Sequence, residues 1–305
     1  MLSEWLVDVP DNFEENWLMV PCPEGHRSLV VAESGSTKIY SKNGYCSKDF
    51  QSALPGGSRS TKRGYTILDC IYNKSMDTLF ALDILSWSSN NLQHSYESCE
   101  TEFRFFWLLG KLAESPSVST VSVSNEIAIC ALPTCQCSKE QIETLICSST
   151  DNTSRIPFSI DNLDGLLFYH KQALYMPETT PLVGWLKPFM LPEILQVSVP
   201  DCFSPPADLF TGSASEFRDN FAKKRAKIEE KRDSAKKMTA VTVEVKHDVI
   251  EASKIENEYD GDIDSKDTLE LKSSRTSTMD ELELVTDKDV SASDTVEMSG
   301  SVEES

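Results

Sequence analysis

The sequence predicts an α+β fold dominated by an antiparallel sheet. Short runs rich in β-branched and aromatic residues, bounded by Gly, Pro, Asn or Ser, predict strands over residues 17–20, 28–32, 65–72 and 78–85. The polar segment 73–77 joins the last two runs and predicts a hairpin, so these strands are expected to be antiparallel neighbours. Helices are predicted from two other segments, residues 100–112 and 138–145.

Further elements follow along the chain. Ser138 with Gln141 three residues later matches a capping box and fixes the start of the second helix. The Ser-rich stretch 113–124 predicts a loop. An apolar strand then opens on Asp164-Gly165 and closes on Lys171, and a second strand carries Trp185 and Lys187.

Charge and composition divide the chain into three parts. Residues 238–305 contain 19 acidic and 6 basic side chains, and Tyr259 is their one aromatic residue. Such a segment cannot bury enough apolar surface to offset its backbone entropy, which predicts a disordered acidic tail. Residues 204–237 predict a charged helical extension, for which a solvated helix is favoured over a localisation or RNA-contacting signal. Residues 1–203 are the predicted folded domain, and the net charge of −20 says little about its partners.

The nine cysteines are an odd number and lie mostly in apolar runs, which favours reduced thiols in an intracellular protein. Cys135 and Cys137 form a close pair without a second pair at zinc spacing, so neither a metal site nor another cofactor is expected. The N-terminus lacks the features of a signal peptide, and no run of eighteen apolar residues predicts a membrane span. These observations predict a cytosolic or nuclear protein.

Four apolar runs, residues 67–70, 80–85, 164–169 and 183–187, follow one another in a recognisable order. This order resembles the nucleotidyl-transfer motifs of messenger RNA capping guanylyltransferases and ligases, whose strands line a purine nucleotide cleft. Those enzymes need a nucleophilic Lys in a Lys-x-Asp-Gly element. Neither Lys38 nor Lys42 in the upstream segment 34–44 is followed by x-Asp-Gly. A non-catalytic nucleotide pocket is therefore favoured over an active nucleotidyltransferase, and a protein-interaction scaffold with a vestigial pocket is a third possibility.

A closer resemblance rests on six strings: residues 2–10, 54–57, 65–72, 103–105, 164–171 and 180–186. Over about residues 1–200 the chain resembles the snurportins, import adaptors for spliceosomal ribonucleoproteins. The resemblance implies a non-enzymatic protein that binds the trimethylguanosine cap of small nuclear RNA and shuttles between cytoplasm and nucleus. Small nuclear ribonucleoproteins, importin β and an exportin are the implied partners. The arginine-rich importin β-binding helix of the family does not precede residue 1, so importin β recruitment is expected to be absent or supplied by another chain, unless the sequence is truncated.

The resemblance also assigns residues to the cap base. Methylation at N7 makes guanine cationic, so an indole face should bind it, and Trp185 stands at the stacking position of the family. Two methyl groups on N2 remove the amino donors, so that side of the site should be apolar. The matching positions are Leu2, Trp5 and Cys22, with Ser3 as a polar contact. Trp185 as a core residue, Trp5 as an anchor of the N-terminal segment and Cys22 as a packed thiol are the alternatives.

A triphosphate bridge requires cations, and Arg27 and Lys42 stand at the matching positions. Solvated surface charges are the alternative for both residues. His26, beside Arg27, replaces a second basic residue and predicts a pH-dependent contact. His170 is expected to have a structural role.

Overall fold

The computed structural model describes residues 1–88, 95–147, 156–203, 212–224 and 226–227. The chain divides into two units, Met1–Pro205 and Pro206–Ser305. In the second unit residues 214–224 are helical, and the rings of Phe217 and Phe221 stack with centroids 5.9 Å apart. The predicted acidic tail, and much of the predicted charged extension, lie outside the described residues.

The first unit is built mainly from strands joined by short helices and turns. Its described strands are β1 (Leu2–Trp5), β2 (Trp17–Pro23), β3 (His26–Glu33), β4 (Ser36–Ser41), β5 (Cys46–Phe50), β6 (Tyr65–Asn73), β7 (Thr78–Ser88), β8 (Ala128–Ala131), β9 (Cys135–Gln136), β10 (Leu163–His170) and β11 (Thr179–Leu186). Its described α-helices are α1 (Phe13–Asn16), α2 (Thr101–Glu114), α3 (Lys139–Cys147) and α4 (Leu191–Ile194). Short 3-10 turns cover Pro116–Ser119, Ile160–Asn162, Pro188–Met190 and Asp201–Phe203.

The strands form two sheets. Sheet A has the order β1-β11-β10-β2-β9, and sheet B has the order β5-β4-β3-β6-β7-β8. Neighbours are antiparallel except for the β1–β11 and β7–β8 pairs, which are parallel. The predicted α+β class with a largely antiparallel sheet is confirmed.

The β6–β7 hairpin shows how local sequence fixes this arrangement. The side-chain oxygen of Asn73 accepts hydrogen bonds from the Met76 amide at 2.9 Å and the Ser75 hydroxyl at 2.7 Å. Asp77 then adopts a left-handed φ of 46°, which returns the chain into β7. The predicted antiparallel pairing of the two strands is confirmed.

Helix α2 packs on sheet B and also reaches sheet A. Leu108 belongs to the apolar core of sheet B, and Phe105 contacts Tyr169 of β10 edge to face at 5.1 Å. The predicted start of α3 is confirmed, because the Gln141 amide donates to the Ser138 hydroxyl at 3.3 Å. The stretch predicted as a loop contains one further turn, in which Val118 is buried.

Alternation along β10 directs one face of sheet A toward sheet B. Phe168 points to the outer side, where its ring lies 5.2 Å from that of Phe13. Tyr169 points to the opposite side, and its hydroxyl accepts a hydrogen bond from Arg27 of β3 at 3.3 Å. The face of sheet A that carries Gly165, Leu167 and Tyr169 is therefore the face turned toward Arg27. No helix among the described residues is both long and apolar enough to cross a bilayer.

Candidate functional site

Two tryptophans lie side by side on this face of sheet A. Trp5 is the register partner of Trp185 in the parallel β1–β11 pair, and Trp185 is also opposite Leu167 of β10. Directly paired residues project to the same side of a sheet, so both indoles share the face turned toward sheet B. Both side chains are half-buried, which leaves aromatic surface accessible to a ligand.

Gly165 makes room for the Trp185 ring. A Cβ atom at Gly165 would lie 2.5 Å from Cζ2 and 2.6 Å from Cη2 of Trp185, and 2.5 Å from the Leu186 carbonyl oxygen. Carbon atoms do not approach so closely, so any other residue here would displace the indole. The glycine of the Asp-Gly pair at the start of β10 is therefore required for the observed position of the Trp185 ring.

Cys22 lies on the next strand, opposite Gly165 in the β2–β10 pair. Its side chain is buried, and its sulfur donates a weak hydrogen bond to the Val20 carbonyl at 3.5 Å. Burial raises the pKa of the Cys22 thiol well above its ordinary value, with Arg27 lowering it and Asp164 raising it to smaller degrees. Cys22 is thus a neutral, apolar group.

Leu2 and Ser3 lie at the start of β1, opposite Thr179 and Thr180 of β11. The register then jumps, so that the next residue of β1 is opposite Gly184. This irregularity lies between Ser3 and the tryptophan pair. Leu2 and Ser3 are both half-buried.

Arg27 is held in a polar cluster between the sheets. Its Nε donates to Asp69 Oδ1 at 2.5 Å, and its Nη2 donates to Asp69 Oδ2 at 2.8 Å and to the Met1 carbonyl at 2.9 Å. Asp69 also accepts a hydrogen bond from the Tyr175 hydroxyl at 3.1 Å and pairs with the Met1 α-ammonium group at 3.1 Å. Burial acts to raise the pKa of Asp69, but the Arg27 charge and hydrogen bonds, together with the ammonium group, hold it below its ordinary value.

Lys42 lies at the same end of sheet B as Arg27. Ser28 pairs with Ser41, so Lys42 comes one residue beyond the last pair of the β3–β4 ladder, across from Arg27. The turn is closed by the Ser41 amide, which donates to the Tyr45 carbonyl at 2.8 Å, and by Gly44 at a φ of 80°. The Lys42 side chain is exposed.

A second lysine stands beside the tryptophan pair. Lys187 forms an ion pair with Oδ1 of Asp164, and its Nζ lies 5.9 Å from the ring centroid of Trp185. The structure therefore brings Trp5, Trp185 and Cys22 together on one face of sheet A, and Arg27 and Lys42 together at one end of sheet B. Arg27 connects the two groups through its bonds to both sheets.

Residues 1–188 match the protein family described as Snurportin1, m3G cap-binding domain. This chain belongs to that family. The match includes every residue that the sequence predicted for the site, from Leu2 to Trp185.

Several solved ligase structures are similar to this snurportin-family chain. The ligase domain of LigD from M. tuberculosis aligns with 14% identity and a TM-score of 0.40, covering 62% of this chain and 58% of that one. A mycobacterial DNA ligase D complexed with ATP and MES aligns with 14% identity and a TM-score of 0.39, covering 61% and 59%. A Lig E DNA ligase aligns with 11% identity and a TM-score of 0.36, covering 61% and 69%. This chain thus spans less than two thirds of the first two ligase chains.

Sequence reasoning missed two features of this snurportin-family domain. Cys22, Glu24 and Gly25 repeat the spacing of Lys-x-Asp-Gly, with Cys in place of Lys and Glu in place of Asp, and lie upstream of the predicted segment 34–44. Asp69, the partner of Arg27, was also missed. Its signal was a carboxylate inside the apolar run 67–70, since a buried charge requires a partner.

A cavity lies away from these side chains, and the described residues form no metal-binding group. A cavity of about 430 Å³ is lined by Val9, Phe13, Cys137, Ile142 and Val197, among others, and by none of the predicted site residues. In the part of the chain that the structure describes, no group of three or more His, Cys, Asp or Glu side chains is placed to hold a metal ion.

Proposed function

We propose that this domain binds the trimethylguanosine cap of small nuclear RNA without chemical turnover. The observation that carries the proposal is the pair of half-buried indoles, Trp5 and Trp185, on the face of sheet A that is turned toward a fixed arginine. The N7-methylated base is a flat cation, and an indole face attracts it by stacking and by cation–π interaction. Trp185 is the proposed stacking residue, and Trp5 beside it contacts the methylated edge.

The proposed surroundings of the N2 methyl groups are apolar. Two methyl groups leave N2 without a donor, so a carboxylate at this edge would be left unpaired and desolvated. Cys22 is neutral because burial raises its pKa, and Leu2 and Trp5 offer apolar surface. Ser3 can satisfy a polar atom of the nucleotide without introducing a charge.

The triphosphate bridge is proposed to lie near Arg27 and Lys42. Arg27 uses Nε and Nη2 for Asp69 and its neighbours, and within the described residues Nη1 makes no hydrogen bond, so two N–H groups remain for a phosphate. Lys42 supplies an exposed positive charge from the adjacent turn. His26 precedes Arg27 and would add a contact that depends on pH.

The chemistry of Cys22 favours binding over nucleotidyl transfer. Transfer through a covalent intermediate needs an activated nucleophile at the motif position, and the reactive form of cysteine is the thiolate. Burial raises the pKa of the Cys22 thiol, so the sulfur is protonated at neutral pH. Glu24 at the third motif position does not restore a nucleophile.

The proposed cellular role is that of an adaptor that carries capped small nuclear ribonucleoproteins into the nucleus and shuttles between nucleus and cytoplasm. An exportin is one proposed transport partner, and importin β is another, recruited through a second chain. Family membership supports this role, because a cap-binding domain supplies the step that recognises the cargo.

The deciding experiment is a titration of the purified chain with trimethylated and monomethylated cap dinucleotides, followed by intrinsic tryptophan fluorescence. Saturable quenching by the trimethylated cap at much lower concentration is the expected result. Quenching by neither ligand would favour the scaffold with a vestigial pocket. An equal response to both would indicate a generic nucleotide site, for which a covalent guanylyl adduct formed with GTP and Mg²⁺ would establish the nucleotidyltransferase alternative.

A further inference from the structure

One cation in this structure lies between an aromatic ring and a carboxylate. The Lys187 ammonium group pairs with Asp164 and lies 5.9 Å from the centroid of the Trp185 ring. The Lys187 side chain is 15% exposed and that of Asp164 is 35% exposed, so the carboxylate remains open to solvent. A ring on one side and an anion on the other is an arrangement that suits a flat organic cation as well as an ammonium group.

The chain positions Asp164 by a strand irregularity. In the β2–β10 pair Leu163 is opposite Pro23 and Gly165 is opposite Cys22, so Asp164 is an extra residue without a partner on β2. A bulge of this kind redirects the side chain of the extra residue. The adjacent Gly165 leaves room for the edge of the Trp185 ring, so the Asp164 carboxylate and the indole are neighbours.

We infer that Asp164 is the counter-ion for the positive charge of the N7-methylated base, and that Lys187 holds the place of this cation in the ligand-free chain. When the base stacks on Trp185, its positively charged ring replaces the ammonium group next to the indole, and the carboxylate then faces the new cation. The inference rests on the proposed cap-binding function and adds a specificity-determining residue to it.

This assignment divides the recognition of the cap into two parts. Monomethylated and trimethylated caps carry the same N7 methyl group and the same charge, so Asp164 would recognise N7 methylation alone. The apolar residues Leu2 and Trp5, together with the neutral Cys22, would recognise the N2 methyl groups. An anion facing the charged part of the ring is favourable, whereas an anion facing the N2 methyl groups would be unpaired.

The test compares two nucleosides, trimethylguanosine, which is cationic, and N2,N2-dimethylguanosine, which lacks the N7 methyl group and is neutral. Both are titrated below the pKa at which the N7-methylated base loses its N1 proton. For the full chain carrying Asp164→Asn, we expect affinity for the cationic nucleoside to fall about tenfold and affinity for the neutral one to stay unchanged.

A second variant must shift the ratio of the two affinities, for the cationic over the neutral nucleoside, in the opposite direction. Lys187→Gln leaves the Asp164 carboxylate without its ion pair and removes the competing cation, so preference for the cationic nucleoside should rise. A merely structural ion pair would lose affinity for both nucleosides in both variants. Asp161→Asn is the matched control, because it removes the same charge from an exposed side chain on the preceding turn.

The possible failures are distinguishable. If the unmodified chain binds neither nucleoside, the proposed cap-binding function is wrong, and so is the assignment of Asp164 as the counter-ion. If the unmodified chain binds trimethylguanosine but the Asp164 and Lys187 variants leave the ratio unchanged, or shift it in the same direction, only the assignment of Asp164 is wrong. Opposite shifts, with no shift in the Asp161 control, are the result that supports it.

Discussion

At the scale of single residues, the indole of Trp185 carries most of the proposed recognition. It is opposite Leu167 on one side and Trp5 on the other, and Gly165 leaves its ring edge uncovered by a side chain. We expect Trp185→Ala to weaken binding of the trimethylated cap at least about tenfold, which corresponds to about 1.4 kcal/mol of lost stacking. Displacement of a fluorescently labelled cap, followed by anisotropy, measures this without depending on the removed fluorophore.

Trp107→Ala provides the matched control for that measurement. Trp107 is another half-buried tryptophan, and it lies on α2 beside Tyr96, with ring centroids 5.9 Å apart. Its removal should leave cap affinity unchanged. Unchanged affinity in the Trp185 variant would instead remove this residue from the site, whereas a similar loss in both variants would point to a general effect on folding.

The phosphate contact is best tested at Lys42. Its side chain is exposed at a turn, so Lys42→Ala removes one positive charge with little effect on packing. We expect lower affinity for the capped dinucleotide and nearly unchanged affinity for the bare trimethylated nucleoside, because only the dinucleotide carries the triphosphate. Calorimetric titration with both ligands measures the difference.

Lys62→Ala, at another exposed lysine in the β5–β6 connection, controls for the change in net charge. Equal losses for dinucleotide and nucleoside in the Lys42 variant would place Lys42 away from the phosphates. Arg27→Ala is less informative, because it leaves the buried Asp69 carboxylate without its guanidinium partner. Such a loss costs about 3–5 kcal/mol and would mix a binding effect with a loss of stability.

At the scale of elements, the sequence predicted the strands that have strong local patterns. The β6–β7 hairpin and the apolar strand after Asp164-Gly165 are long runs with clear turn signals, and both are confirmed. Strand β1 was not predicted, because Leu2–Trp5 is short and pairs in parallel with residues near position 180. A register that jumps from Thr180 to Gly184 between consecutive residues of β1 depends on tertiary packing, and no local pattern encodes it.

In the candidate site too, single residues could be predicted from the sequence, whereas their contacts depend on tertiary packing. Trp185 stood out within an apolar strand, and Lys187, predicted in the same strand, lies one residue beyond its end at Leu186. The pairing of Trp185 with Trp5 required the fold. Arg27 was predicted as a phosphate contact, and that role stays a prediction. Its ion pair with Asp69 joins residues 42 positions apart, which the sequence alone could not relate.

Substitution of Gly165 tests the contact between β10 and β11. Gly165→Ala places a methyl group 2.5 Å from the Leu186 carbonyl and against the Trp185 ring, and overpacking of this kind costs about 1–3 kcal/mol. We expect a lower free energy of unfolding together with reduced cap affinity, because the indole must move. Denaturant unfolding and cap titration of the same preparation measure both quantities.

Gly110→Ala is the control for that substitution. A Cβ atom at Gly110 in α2 meets no heavy atom within 4 Å, so the same change should stabilise the helix by about 0.5–1 kcal/mol and leave cap affinity unaltered. If Gly165→Ala behaved like the control, the close approach of the indole to β10 would not hold in solution.

At the scale of the whole first unit, a buried polar cluster joins the two sheets that form the proposed site. Asp69 on β6 of sheet B holds Arg27, and Arg27 in turn bonds Tyr169 of sheet A and the Met1 carbonyl beside β1. A second buried pair, Asp83 with Arg104, ties α2 to β7 with Nε to Oδ1 at 2.9 Å. The position of Trp5 and Trp185 relative to Arg27 and Lys42 therefore depends on desolvated charges as well as on apolar packing.

This arrangement predicts a pH-dependent contribution of Asp69 to stability. The folded-state pKa of Asp69 lies below that of the unfolded chain, so the ionised carboxylate stabilises the fold above the ordinary carboxyl range, and the stabilisation is lost as the pH falls through the folded-state value. We expect Asp69→Asn to lower the free energy of unfolding by about 3–5 kcal/mol at neutral pH, because the buried Met1 ammonium group and the partly buried Arg27 lose their anion. The deficit should shrink as the pH is lowered, since the unmodified chain then also loses the charge. Urea unfolding at a series of pH values measures this.

Asp77→Asn is the appropriate comparison for the Asp69 variant, because the Asp77 side chain is 52% exposed and pairs with Lys48 at 2.8 Å. The Lys48 hydrogen bond holds the pKa of Asp77 below its ordinary value, so both aspartates shift in the same direction and differ mainly in exposure. An exposed pair contributes about 0–1 kcal/mol, so this variant should remain close to the unmodified chain at every pH. Equal deficits in the two variants, or an Asp69 deficit that stays constant as the pH falls, would show that the cluster between the sheets does not hold Arg27 through an ionised carboxylate. A pH-dependent deficit at Asp69 alone would mean that acid weakens the hydrogen-bonded cluster that joins Arg27 to Tyr169 and Met1.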